Sequence, residues 1–117
     1  MATLDAISEA LSSVDERVYY GMASKLPKGA PWNYTVFSRE PSNRNANKTG
    51  FTDVYSVAVV REEYVPEDVL PAVIEAMETI PGMKLADSTV DYDYMTKPGT
   101  TDIAEMMVVR FSKARKL

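Results

Sequence analysis

The longest apolar segment of the chain, Phe51 to Glu62, places the strictest constraint on the fold. Its four valines occupy both odd and even positions, and Tyr55 and Ala58 lie between them. Aromatic and β-branched residues favour strands, and apolar side chains on both parities are typical of a strand covered on both faces. The segment therefore predicts a central β-strand whose second face is covered at least in an assembled state.

Weaker patterns on either side predict the other elements. Apolar residues at three- and four-residue spacing predict an amphipathic helix over residues 4–14: Leu4, Ile7, Leu11 and Val14. A second helix is predicted from about Asp68 to the Pro81-Gly82 pair. Four further strands are predicted: residues 17–22, 32–39, 84–94 and 102–112. The order α-β-β-β-α-β-β, with hairpin-type loops between neighbouring strands, predicts an α+β fold in which two helices pack on a mainly antiparallel sheet.

Length and composition limit the function classes. A chain of 117 residues with 45% hydrophobic residues predicts one globular domain, residues 1–117. It contains no histidine and no cysteine, so imidazole, thiol and thiolate-metal chemistry are absent. No nucleophile elbow or glycine-rich phosphate loop is present either. We therefore expect neither an enzyme nor a cofactor site.

The charge distribution suggests how the protein meets partners. A net charge of −4 argues against general nucleic-acid binding. Eleven acidic residues but only Lys84 and Lys97 lie between Glu62 and Glu105, whereas the last eight residues carry four basic side chains and no acid. This polarity would let copies meet head to tail, but a merely solvated surface with a basic tail is the interpretation that the charge pattern alone favours. No apolar run of about 20 residues and no signal peptide is present, which predicts a cytoplasmic protein without a membrane partner.

Two polar segments have no role in a core. The stretch Glu40–Gly50 contains one alanine and no large apolar side chain, which predicts a long exposed loop. Residues 112–117 form a basic C-terminal tail. Each segment either contacts a neighbouring protein or is a disordered tip. The interface hypothesis assigns nine residues to this contact: Arg39, Asn43, Arg44, Asn45, Asn47, Lys48, Lys113, Arg115 and Lys116.

The third polar feature is an acidic row, Asp87, Asp91 and Asp93. In a strand, Asp91 and Asp93 project from the same face, where they could hold a hard cation. The spacing lacks the pattern of an EF-hand loop. A solvated acidic face, or pairing with a basic residue on a neighbouring strand such as Arg110, is the stronger interpretation.

The opening of the chain resembles a known family. Val18-Tyr19-Tyr20-Gly21 is followed by a loop that ends at Pro31, and then by Trp32-Asn33-Tyr34-Thr35-Val36-Phe37-Ser38. Together with the N-terminal helix and Tyr55-Ser56-Val57-Ala58-Val59-Val60, this pattern resembles the tail-terminator, or tail-completion, proteins of long-tailed phages, over roughly residues 4–112.

The resemblance implies a structural virion protein of the tail or neck, assembled in the host cytoplasm. In that family the protein forms a hexameric ring on the last ring of tail-tube protein, ends tube growth and joins the tail to the head connector or stopper. The polar loop would reach an adjacent ring. DNA would pass without specific binding, past an acidic row (Asp87, Asp91 and Asp93) that faces the lumen.

Two alternatives remain open. The segment Arg61-Glu62-Glu63-Tyr64 departs from the longer apolar strand of many family members. This departure leaves room for a head-completion adaptor or stopper in the neck. A small ligand-binding or regulatory domain of the host is the alternative from another functional class.

Overall fold

The structure, a computed structural model, describes residues 2–23, 31–44, 50–86 and 89–116. These ranges contain two helices and six strands: α1 (Thr3–Leu11), β1 (Val18–Tyr20), β2 (Tyr34–Arg44), β3 (Gly50–Glu62), α2 (Val69–Glu78), β4 (Lys84–Leu85), β5 (Asp91–Thr96) and β6 (Ile103–Lys116). The predicted α+β class, with two helices on a mainly antiparallel sheet, is confirmed.

The sheet is built around the pair β3 and β6. These strands are antiparallel and in register over the full length of β3, from Gly50 opposite Lys116 to Glu62 opposite Ala104. The strands follow the order β1-β2-β3-β6, and both β4 and β5 pair with the outer edge of β6. β1 runs parallel to β2, so the prediction of a hairpin-type loop between them is wrong. Parallel neighbours need a connection that carries the chain back along the sheet, so a tight hairpin turn cannot join these two strands.

Both helices pack on the same face of the sheet. Ile7 and Leu11 of α1, with Val73 and Met77 of α2, are fully buried against the odd-numbered side chains of the central strands. Those side chains form the floor of the core: Phe37, Tyr55, Val57, Val59, Met107, Val109 and Phe111. Burying a side chain of this size stabilises the fold by roughly 1.5–3 kcal/mol. Among the described residues, no helix is long and apolar enough to cross a membrane.

One predicted strand is two strands. Residues 84–94 were expected to form a single strand, but β4 pairs with residues 111–112 of β6 and β5 pairs with residues 103–108. Val90, between the two, packs against the core. A 14-residue β6 is long enough to pair with both short strands.

The predicted loop and tail are largely strand. β2 continues through Arg44 and β3 begins at Gly50, so residues 40–44 and 50 do not belong to a loop. β6 likewise extends to Lys116, so the predicted tail is paired with the start of β3. Residues 45–49 and 117 lie outside the described residues. Polar side chains did not prevent strand formation because β3 offers hydrogen-bonding partners on both of its edges.

A polar network fixes the connection between α1 and the sheet. Asp15, which follows α1, forms a bidentate ion pair with Arg61 of β3, with nitrogen–oxygen distances of 2.8 and 3.0 Å. The Thr35 hydroxyl, fully buried on β2, donates to the same carboxylate. The side chains of Arg61 and Asp15 are 15% and 10% exposed. The network therefore anchors three elements in a place largely shielded from water.

Candidate interaction surface

The face of the sheet opposite the helices carries a second set of apolar side chains. Val36, Ala58 and Val108 are cross-strand partners at its centre. We define the open-face patch by nine of the apolar residues that the register places on this face: Tyr19, Tyr34, Val36, Ala58, Val60, Met95, Ala104, Met106 and Val108. The odd-numbered side chains in the middle of β3 thus lie under the helices, and the even-numbered ones lie on a face that no described helix covers.

Side chains of the patch shield one another within the sheet. Tyr19 and Tyr34 meet edge to face, with ring centroids 6.0 Å apart. Burial, and then the neighbouring Tyr19, raises the pKa of the Tyr34 phenol above its ordinary value of 10.0. Val60 and Ala104 are buried although they lie outside the main core cluster. The patch is therefore ordered and apolar in the single chain.

A charged row crosses the open face beside the patch. Arg110 of β6 lies between Asp91 of β5, at 2.6 Å, and Glu40 of β2, at 3.2 Å. Ser56 of β3 donates to the same Glu40 oxygen, at 2.9 Å. The hydrogen bonds to Asp91 and Glu40 raise the pKa of Arg110. The predicted alternative, in which an aspartate of the acidic row pairs with Arg110, is confirmed.

The acidic row itself is only partly brought together. Asp91 and Asp93 share the open face, as their register with Val108 and Met106 shows, and Asp87 lies outside the described residues. Asp93 accepts a hydrogen bond from the backbone N–H of Tyr94 at 2.9 Å. Within the described ranges, no group of three acidic residues could hold a metal ion. Because Arg110 offsets the charge of Asp91, Asp93 carries the less compensated negative charge of the two.

A second polar cluster lies at the end of the patch that is farther from Arg110. Glu62, at the end of β3, accepts hydrogen bonds from Lys97 Nζ at 2.5 Å and from the backbone N–H of Trp32 at 3.1 Å. Lys97 also lies over the Trp32 ring, 5.6 Å from its centroid. Sequence analysis missed this cluster because its members are 30 and 35 residues apart from Glu62, and none belongs to a motif.

The cluster predicts a specific acid sensitivity. The bond from Lys97, followed by that from Trp32, lowers the pKa of Glu62 below its ordinary value of 4.5. The unfolded chain then binds a proton more readily than the folded one, so this stabilisation is complete above pH 4.5 and is lost as the pH falls through the folded pKa. We expect the urea midpoint of Glu62→Gln to depend less steeply on pH between pH 3 and 5 than that of the wild type. Glu75→Gln, on the exposed side of α2, is the matched control, and equal slopes for all three proteins would contradict the assignment.

The basic residues of the interface hypothesis gather mainly at one end of the sheet. The backbone of Arg44 lies opposite Phe51 on one edge of β3, and Lys113 to Lys116 lie opposite residues 50–53 on its other edge. The described parts of the predicted loop and tail therefore lie at the same end of the sheet, on the two edges of β3. Asn43 also belongs to this end of β2, whereas Asn45, Asn47 and Lys48 lie outside the described residues.

The described basic side chains differ in their partners. Arg115 pairs with Asp53 at 3.1 Å and lies 5.6 Å from the centroid of the Phe51 ring. Lys113 lines a groove between the two helices, beside Gly82. Arg39 is exposed further along β2, where it donates to the Tyr20 phenol at 2.9 Å. Of these three described side chains, only those of Lys113 and Arg115 thus belong to the same end of the sheet.

Charge is separated along the strands. At about 3.3 Å per residue, the 13-residue β3 spans about 43 Å. The basic end lies at its start, and acidic residues gather at its other end: Glu62, Glu63, Asp102 and Glu105. The polarity noted in the sequence is therefore a polarity of the folded molecule along its longest strands.

A groove lies between α1 and α2. Small side chains form much of its lining, including Ala6, Ala10 and Ala76, and Glu9 and Lys113 are its charged members. Within the described residues, every buried side-chain nitrogen or oxygen has a hydrogen-bond partner.

Comparisons with known proteins found a similar solved structure but no match to the sequence. No protein-family model matches the sequence, and no curated protein matches it. Among solved structures, the chain is similar to one in a structure described as "Virion of native gene transfer agent (GTA) particle". The two share 11% sequence identity and superpose with a TM-score of 0.45, over 97% of this chain and 94% of the other.

Proposed function

We propose that the protein is a structural virion component that forms a ring at the head-proximal end of a phage-type tail tube. In this role it ends tube growth and joins the tail to the head connector or stopper, as the resemblance of its opening strands implies. The observation that carries the proposal is the open-face patch. A sheet with one face packed by helices and an ordered apolar patch on the other is suited to a protein that is completed by its neighbours.

Charge supports an ordered assembly. A basic end and an acidic end on one small molecule favour a single orientation of neighbouring copies, because like ends repel. We assign the basic end, with Arg44, Lys113, Arg115 and Lys116, to contact with an adjacent ring. The open face, where Asp93 is exposed and Arg110 is held by two carboxylates, would offer DNA phosphates little attraction. We propose that the ring is a hexamer, and we assign the chain no catalytic role and no cofactor.

Disruption of the gene in the host that produces the particles tests the proposal. We expect tails that are longer than normal and carry no heads, counted by negative-stain electron microscopy, and restoration of normal particles by the wild-type gene. Tails of normal length together with heads that have lost their DNA would instead indicate an adaptor or stopper of the neck. Unchanged particles, with a purified chain that binds a metabolite as a strict monomer in native mass spectrometry, would contradict any virion role.

A further inference from the structure

The exposed large apolar side chains of the described residues lie at two opposite sides of the sheet. Tyr20 and Met22 lie at the β1 side, and Met22 is 70% exposed. The remaining five lie at the β4–β5 side or at the strand ends next to it: Tyr64, Leu85, Tyr92, Tyr94 and Ile103. Scattered exposed apolar residues need no explanation, but their confinement to two opposite sides points to two lateral contacts.

These two sides form distinct surfaces. We define the β1 surface by Tyr20, Met22 and Arg39, in which Arg39 donates to the Tyr20 phenol. We define the β5 surface by six residues: Glu63, Tyr64, Tyr92, Tyr94, Asp102 and Ile103. A depression in the β5 surface is lined by Tyr94 and Ile103, which are 62% and 52% exposed, together with Glu63, Thr101 and Asp102. The β5 surface is thus an apolar depression with acidic side chains around it.

The two surfaces are complementary. Tyr20 pairs in register with Phe37, and Tyr92 and Tyr94 with Met107 and Glu105, so the aromatic rings of both surfaces project from the helix-bearing face. Within the described residues, Arg39 forms no ion pair, and neither do Glu63 and Asp102. A protruding apolar side chain with a cation beside it therefore matches an apolar depression with anions beside it.

Direct pairing of strand edges between copies is disfavoured. The edge of β2 beyond β1 contains Pro41, which has no N–H to donate, and its register with β3 shifts between Glu40 and Asn43. β5 carries Asp91 and Asp93, and charged side chains discourage edge pairing. Contact between the two surfaces is therefore expected to run through side chains.

We infer that the β1 surface of one copy binds the β5 surface of the next copy. The inference deepens the proposed function and rests on it, since it names the surfaces that join neighbours within the ring. Such an interface uses two different surfaces, so a chain of two or more bound copies still presents one free β1 surface and one free β5 surface at its ends. Repetition of this contact closes a ring if the rotation between copies allows closure.

Disulfide cross-linking tests the inference, because the chain contains no cysteine of its own. The double variant Met22→Cys, Ile103→Cys, oxidised at about 1 mM chain, where even weak association is populated, is expected to give a ladder of multimers on a non-reducing gel. Met22 follows β1 and Ile103 begins β6, and β2 and β3 lie between these strands. At about 4.8 Å per strand spacing, the two cysteines are too far apart within one copy for an internal disulfide. Reduction should collapse the ladder to monomer.

The controls separate the outcomes. Each single variant is expected to stay monomeric, as is Met22→Cys combined with Glu75→Cys on the exposed side of α2. Efficient cross-linking of a single variant would show a contact between identical surfaces and overturn the inference. So would a double variant that remains monomeric while circular dichroism shows the native fold. The tail-length phenotype of the gene disruption is scored independently, so the proposed function stands or fails separately from this interface.

Discussion

Replacement of Asp15 by alanine is expected to lower the free energy of unfolding by about 3 kcal/mol. The substitution leaves the Arg61 guanidinium largely buried and without its carboxylate, and it removes the acceptor of the Thr35 hydroxyl. A buried charge that loses its partner keeps its desolvation penalty without the compensating attraction. The loss also removes the side-chain link from the segment after α1 to β2 and β3, and the backbone bond from the Thr35 N–H to the Arg17 carbonyl remains.

Urea unfolding followed by circular dichroism measures this effect. Asp91→Ala is the matched control, because it breaks an Arg–Asp pair whose aspartate is 51% exposed and leaves Arg110 paired with Glu40, and it should cost less than about 1 kcal/mol. Asp15→Ala combined with Arg61→Met should recover part of the stability, since no unpaired charge remains. A loss for Asp15→Ala no greater than that of the control would show that the network contributes little.

Replacement of Ala58 by glutamate is expected to reduce incorporation of the protein into particles by about 100-fold or more. Ala58 lies between Val36 and Val108 at the centre of the open-face patch. In the single chain the new carboxylate can extend into water, so the fold should be retained. In a complex that covers the patch, the carboxylate would be buried without a partner, at a cost of several kcal/mol, and each 1.4 kcal/mol is a tenfold loss of affinity.

Ala72→Glu provides the same chemical change on the exposed side of α2, away from the patch. We expect Ala72→Glu to enter particles as the wild type does, measured by quantitative immunoblotting of purified particles after complementation of the disrupted gene. Thermal unfolding should show both variants folded. Normal incorporation of folded Ala58→Glu would exclude the open-face patch as an assembly contact.

Sequence periodicity predicted those features that depend on local pattern. The two parities of residues 51–62 indicated a strand with two apolar faces, and the structure places Val57 under the helices and Ala58 on the open face. Pro71 marked the first turn of α2, where a missing N–H removes no helical hydrogen bond. These features were predictable because one element alone determines them.

Features that depend on distant partners were not predictable. Arg44 and Lys116 are in strands because β3 supplies ladder partners, although their own neighbours are polar. Asp15 and Arg61 are 46 residues apart, and no local pattern distinguishes them from solvated charges. The parallel orientation of β1 likewise follows from where it docks on β2 rather than from its three residues. The sequence therefore predicted an apolar second face on one strand, but it did not predict the neighbouring strands and polar clusters that complete the open-face patch.

The uninterrupted pairing of β3 with β6 has a mechanical consequence. Thirteen consecutive residues of β3 are matched to β6, and their hydrogen bonds lie across the strand direction. A pull between the basic end on β6 and the acidic end on β3 would load these bonds in shear, so that they yield together rather than one after another. A chain that holds two parts of a particle together along this axis would resist tension with its whole central ladder.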